Sequence, residues 1–224
     1  DELKHTDIAQ HALDTLAESK LKEIHVIGRR GPAQAKFTPK ELREFGELTD
    51  CNPIVIEQDL LLGLESISEL EEKSNVGSKK IYDLFCEFSK RDIDNNKSKQ
   101  CIFSFLMSPK ELVGDSRLEK IVLEINSLSG EPFKQSARGS GKTIELESGI
   151  LFRSIGYRGI PIKGVPFHAS WGIIPNVKGR VTDNDNNVVL QFYTAGWIKR
   201  GPTGVVGTNK TDAQETVQCM VEDL

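Results

Sequence analysis

Apolar positions recur at helical spacing in TDIAQHALDTLAES, where Ile8, Ala12, Leu13, Leu16 and Ala17 share a face behind Thr6, a residue suited to capping the first turn. The next segment, KEIHVIGRRGP, changes period. Its continuous run Ile24-His25-Val26-Ile27, closed by Gly28 and by Gly31-Pro32, predicts a buried strand that ends in a tight loop. Thr38-Pro39 then opens TPKELREFGEL with proline in the first turn and Glu41 at the position of a capping box. After Cys51-Asn52-Pro53, IVIEQDLLLGL predicts a strand and its exit, while ESISELEEK and KKIYDLFCEFSK return to helical periodicity. The polar stretch RDIDNNKSKQ predicts a loop. CIFSFLMSP, LEKIVLEINSL, KTIELESG and ILFRSIGY follow as strand-like segments, and a glycine- and proline-rich region over 156–208 leads into a closing helix near 205–222. A helical half followed by a strand-rich half predicts an α/β nucleotide domain with an appended β-meander.

Composition narrows the classes of function. Lys and Arg total 29 against 33 Asp and Glu, so the net charge of -4 gives the whole surface no drive toward nucleic acid or anionic lipid. Cys51, Cys86, Cys101 and Cys219 form no C-x-x-C pair, which argues against a zinc site or disulfide framework and fits small buried hydrophobes in a reducing compartment. The histidines His5, His11, His25 and His168 share no ligand spacing, and no metal site is expected. No run approaches the roughly 18 apolar residues of a membrane span. The opening DELKHTDIAQ reads as neither a signal nor a transit peptide but as the middle of something longer.

Two places carry candidate chemistry. Arg29 and Arg30 fall at the expected carboxyl end of a strand, where ligands bind in doubly wound sheets. An acid there would accept from a ribose 2′-hydroxyl, whereas arginines neutralise a 2′-phosphate, so the pair points to NADP(H); an isolated Arg-Arg would otherwise read as a solvated turn. The second place is GWIKRGPTGVVGT, whose small residues and tryptophan suit a flat ligand. ARGSGKT mimics the end of a P-loop, but Ser136 stands where glycine is required and an alternating strand follows, so a hairpin loop is expected instead.

Taken together, IGRRGPAQAKFTPKELREF, FRSIGYRGIPI, VPFHASWGIIPNVKGRV and GWIKRGPTGVVGTNKTDA resemble the adrenodoxin reductase family, the mitochondrial NADPH:ferredoxin oxidoreductases. The resemblance runs from about Thr6 to the end and is weakest between 50 and 148. It implies a flavoprotein with two Rossmann-like domains: residues 1–156 as an incomplete NADP-binding domain with its meander, and 157–224 as the C-terminal part of an FAD-binding domain. It also implies that NADP meets Arg29, Arg30, Glu41 and Gly204, and that FAD meets Trp197, Gly204, Val205 and Val206. Glycine lets backbone close on a ring, and a helix beginning there would aim free N–H groups at it.

The implied reaction passes a hydride from NADPH to FAD and then single electrons to a [2Fe-2S] ferredoxin or adrenodoxin, with no protein group as a catalytic acid or base. Ferredoxin would dock on Arg43, Lys79 and Lys80, although GSKK with Glu71 and Glu72 nearby departs from an arginine-rich cluster in the family. The resemblance further implies a mitochondrial matrix location with peripheral association to the inner membrane. No G-x-G-x-x-G occurs in the 224 residues, so neither phosphate-binding glycine loop is present and a partial chain is expected. The alternative is a truncated, catalytically inactive homologue acting as a binding module. A flavin subunit like that of glutamate synthase shares SIGYRG-like text, but would not predict KRGPTGV beside the twin arginines.

Overall fold

The computed structural model describes residues 2–204 and 206–224 and the side chains of all of these but Glu2 and Val206. Two units emerge, Asp1–Leu151 and Phe152–Leu224. In the first, α1 (Gln10–Ala17), β1 (Glu23–Ile27), α2 (Pro39–Glu47), β2 (Cys51–Val55), α3 (Leu64–Glu71), α4 (Val76–Ser89) and β3 (Lys99–Ser104) precede a meander of β4 (Met107–Val113), β5 (Lys120–Ser129) and β6 (Ser136–Glu147). The class is α/β. β3 pairs in parallel with β1 on one side and β2 on the other, and β4, β5 and β6 form a separate antiparallel sheet.

The core follows from period-two burial on β3. Cys101 and Phe103 turn to the same face, where they meet Leu42 of α2 and Ile81, Phe85 and Phe88 of α4. Phe103 lies 5.4 Å from both Phe45 and Phe85 by ring centroids, in the tilted and edge-on geometries that aromatic quadrupoles favour. Burial, and secondarily Cys51, pushes the Cys101 thiol up to about 12, which makes it a packing group and not a nucleophile.

Several local expectations change. Thr6 does not cap α1: its hydroxyl donates to the Leu3 carbonyl, and Ala9 occupies the N-cap. β1 is a sheet margin instead of a buried strand, with Ile24 48% exposed, because α2 and α4 pack over β2. β2 begins at Cys51 and takes in Pro53, which a strand paired on one side tolerates since the missing N–H costs no ladder bond. CIFSFLMSP divides into β3 and β4 at Leu106, whose φ of 56° bends the chain.

ARGSGKT is no hairpin loop but lies within β6. Its glycines serve a bulge between Glu124 and Asn126: a β-carbon on Gly139 would sit 2.3 Å from a Glu124 carboxylate oxygen. Gly141, at φ +84°, donates its N–H to Glu124 Oε1 over 3.1 Å.

The second unit holds β7 (Asn176–Val177), β8 (Arg180–Thr182) and β9 (Val188–Tyr193), followed by α5 (Trp197–Arg200) and α6 (Val206–Glu222). ILFRSIGY forms no strand, since no partner strand reaches it; Phe152 is 87% and Ile155 80% exposed. Arg180 ties β8 to the end of α6 through Asp223 at 2.7 Å and Glu222 at 3.0 Å.

Phe103→Ala should cost about 3–5 kcal/mol, the usual range for emptying a buried aromatic site, read as a lower urea midpoint at unchanged slope. Phe152→Ala should change the stability read from the same titration by no more than about 0.5 kcal/mol.

Candidate functional site

The turn after β1 is built by giving its backbone carbonyls away. Gly28 O accepts from Met107 N at 3.1 Å, Arg29 O from Asn126 Nδ2 at 2.9 Å, and Arg30 O from Leu106 N at 3.1 Å. The backbone is thereby fastened to the start of the meander while the two side chains are left over. Arg29 is exposed and Arg30 half-buried, and among the described residues neither guanidinium has a hydrogen bond or an ion pair. Two guanidinium groups on a pinned turn at the carboxyl end of a parallel strand have the charge and the donors that a phosphate dianion requires.

A buried polar network stiffens the chain beyond them. Gly31 and Pro32 lead into a short 3-10 turn, Pro32–Gln34, and Gln34 Nε2 lies 3.1 Å from Ser66 Oγ, 3.0 Å from Glu69 Oε2 and 3.1 Å from Gln135 Oε1. Glu69 is 4% exposed and has no cation among the described residues; its other oxygen accepts from Phe133 N at 2.7 Å. A buried carboxylate is tolerated because donors meet it. Gln34, Ser66, Glu69, Asn126 and Gln135 carry no motif, and sequence reading missed them.

Glu41 forms the expected capping box. Thr38 Oγ1 accepts from Glu41 N at 3.2 Å, and Glu41 Oε2 accepts from Thr38 N at 2.9 Å, which holds the carboxyl below its ordinary range. Oε1 keeps no partner among the described residues. Arg43, on the same helix, and Lys79 and Lys80 on α4 are all exposed and have no ion-pair partner among those residues; α2 and α4 pack against each other.

In the second unit Trp197 opens α5 and stacks on Tyr157 at 5.5 Å and 27°. A cavity of about 170 Å³ lies against this pair, lined also by Arg158, Gly159, Ile198 and Pro202. Gly159 must be glycine, since its β-carbon would approach the Gly172 carbonyl oxygen to 2.6 Å. An exposed flat indole beside a small, glycine-floored hollow fits a planar ring. A larger cavity, about 370 Å³ between β2 and the end of α4, holds none of the expected site residues.

Gly204 has φ +82°, and a β-carbon there would strike Thr208 Oγ1 at 2.2 Å, so glycine is required. Val206 begins α6, and Val205 lies outside the described residues.

The cations of GWIKRGPTG are paired within the protein. Lys199, 6% exposed, binds Asp212 at 3.2 Å and Glu215 at 2.7 Å, and Arg200 binds Asp212 at 3.2 Å. Asp212 also accepts the Gly196 N–H at 2.5 Å. Burial alone would raise this carboxyl; the Gly196 N–H, Lys199 and Arg200 outweigh it and hold it below its ordinary range. One buried carboxylate thus anchors the loop that carries Trp197.

The α/β chain thus presents an arginine pair, unclaimed among the described residues, beyond β1, and a glycine-flanked aromatic segment at α5. Over its whole length it is homologous to NADPH-ferredoxin and adrenodoxin reductases. It is 40% identical over 227 residues to NADPH-ferredoxin reductase FprA of Mycobacterium tuberculosis, covering 100% of this chain and 47% of that protein. Identity is 36% over 239 residues to the mitochondrial NADPH:adrenodoxin oxidoreductase of Arabidopsis thaliana, covering 100% and 48%, and 34% over 233 residues to the human one, covering 99% and 46%. The solved structure of M. tuberculosis FprA in complex with NADPH superimposes with a TM-score of 0.86 at 37% identity, over 100% of this chain and 47% of that one. The chain spans about half the length of these relatives. No family model matches it.

The Asp212 anchor has a pH signature. Its folded value lies below the unfolded one of about 3.9, so the stability it adds is present above that pH and lost as acid titrates through the folded value. Asp212→Asn should cost about 3 kcal/mol at neutral pH by leaving Lys199 underpaired, and should flatten the loss of stability below about pH 4, both read by urea unfolding.

Proposed function

We propose that this chain is part of an NADPH-ferredoxin reductase, in which residues 1–156 hold much of the NADP side and 157–224 part of the FAD side. The observation that carries the reading is the Arg29-Arg30 pair, with both carbonyls tied and neither side chain claimed among the described residues. Arg29 and Arg30 would hold the 2′-phosphate, with Glu41 Oε1 available to accept from a ribose hydroxyl. Trp197 and the backbone at Gly204, Val205 and Val206 would seat the isoalloxazine, and Gly204 would also lie near the nicotinamide. Bound FAD supplies the chemistry that joins two-electron hydride donors to one-electron acceptors. The residues of this chain bind and orient; none serves as a proton donor or base.

Arg43, Lys79 and Lys80 would receive an acidic [2Fe-2S] ferredoxin or adrenodoxin. Their exposure and lack of internal partners support this, since a docking cation should be free to meet a partner carboxylate. Relatives named mitochondrial support an organellar location, to which the proposal adds the matrix side and peripheral association with the inner membrane. The mycobacterial relatives carry a reductase of the same kind without an organelle.

In the full-length protein, replacing Arg29 and Arg30 by Ala should raise KM for NADPH by about one to two orders of magnitude per arginine, while KM for NADH moves little. A hydrogen bond to a charged group is worth about 1.5–3 kcal/mol, and about 1.4 kcal/mol is tenfold. An equal loss with both nucleotides rejects the assignment.

Lys79→Glu with Lys80→Glu should slow ferredoxin reduction in a salt-dependent manner and spare a small electron acceptor such as ferricyanide. An unchanged ferredoxin rate removes these lysines from the docking face.

A further inference from the structure

We infer that Asn126, distant in sequence from every residue named so far as a ligand contact, is a positioning residue that sets selectivity for the 2′-phosphorylated nucleotide. The inference rests on the reading that Arg29 and Arg30 hold that phosphate. Of the carbonyls that fasten the turn, Gly28 and Arg30 are held by backbone N–H groups of Met107 and Leu106, whereas Arg29, the middle one, is held by a side chain alone. That tie can be cut by substitution without touching either arginine.

The surroundings build Asn126 for this task. Its residue is 7% exposed, and Nδ2 donates to Ser108 Oγ at 2.8 Å as well as to Arg29 O at 2.9 Å, so both amide hydrogens are spoken for. Its own backbone N–H donates to Leu106 O at 2.7 Å, and Leu106 in turn donates to Arg30 O, so the same residue braces two points of the turn. The β5–β6 register shifts between Glu124 and Asn126, and Leu106 takes φ 56°. Both irregularities fall where they aim donors at the turn, and non-glycine residues adopt such backbone only where the surroundings impose it.

A phosphate dianion shared by adjacent guanidinium groups is sensitive to the peptide between them. If that peptide rotates freely, the side chains start from scattered positions and binding must order them. With the Arg29 carbonyl captured, the backbone share of that ordering is in place before the ligand arrives, and only the side-chain rotamers remain to be fixed. The gain falls on the 2′-phosphate, because among the described residues the side chain and N–H of Asn126 hydrogen-bond only Arg29, Ser108 and Leu106, none of them expected to meet the rest of the nucleotide.

The test measures binding of adenosine 2′,5′-bisphosphate and adenosine 5′-monophosphate to the full-length protein by calorimetry, so no turnover is involved. Asn126→Ala should weaken the bisphosphate about tenfold, the scale of one lost hydrogen bond, and leave the monophosphate within about twofold. Ser108→Ala, which removes only the acceptor that orients the amide, should move the same ratio in the same direction by less. It serves as the reporter if Asn126→Ala does not fold. An unchanged ratio in the folded variants, or an equal loss for both ligands, overturns the inference. Arg29→Ala with Arg30→Ala is measured alongside. If that variant keeps the ratio, the phosphate reading itself fails and the inference falls with it; if it loses the ratio while Asn126→Ala keeps it, only the role of Asn126 is rejected.

Discussion

A cation can serve a ligand only if nothing inside the protein claims it first, and a loop can present that cation only if its own backbone is claimed completely. The turn after β1 meets both conditions at once. Its carbonyls from Gly28 to Arg30 are consumed by Leu106, Met107 and the Asn126 side chain of β5, which fastens the backbone, and the guanidinium groups have no acceptor among the described residues. The meander is therefore more than an appendage to the parallel sheet: the bend at Leu106 delivers two of the donors that hold the turn, and Asn126 of β5 supplies the third.

The second unit applies the opposite assignment to superficially similar text. KR in GWIKRGPTG resembles RR in IGRRGP, yet Lys199 and Arg200 are both spent on Asp212. Desolvating Lys199 would be costly without that carboxylate and Glu215, and the same carboxylate also holds the Gly196 N–H where α5 begins. What remains available in this loop is apolar: the exposed face of Trp197 against Tyr157 and the hollow beside them. Charged residues on one loop anchor it, and its aromatic residue is what a ligand could meet.

Sequence reveals what local chemistry determines. The capping box at Thr38 and Glu41, the helical periods of α3 and α4, and the strand before Arg29 depend on residues a few positions apart, and each is found where the pattern puts it. The failures have the opposite character. ARGSGKT looked like a loop because glycine is frequent in turns, but here glycine clears the path of the Glu124 carboxylate across a bulge. ILFRSIGY has a strand's apolar content and no strand to pair with. Asn126 and Arg29 are 97 positions apart, and Gln34 and Gln135 101, so no window along the chain could associate them.

This division bears on how a nucleotide preference is encoded. On the proposed reading the Arg29-Arg30 dipeptide would state which charge is wanted, but a dipeptide on a loose turn would pay an ordering cost on every binding event and discriminate weakly. Discrimination of a 2′-phosphate from a hydroxyl is a difference of free energies, so any device that lowers the cost for one ligand and not the other enlarges it. A buried amide that grips the backbone between the two arginines is such a device, and it leaves no mark in the motif it serves. A second chain could carry the same IGRRGP text with an apolar residue in place of Asn126 and possess the charges without the geometry. If the proposed reading holds, the selectivity belongs to the pairing of a turn with a distant bulged strand and not to the dipeptide alone.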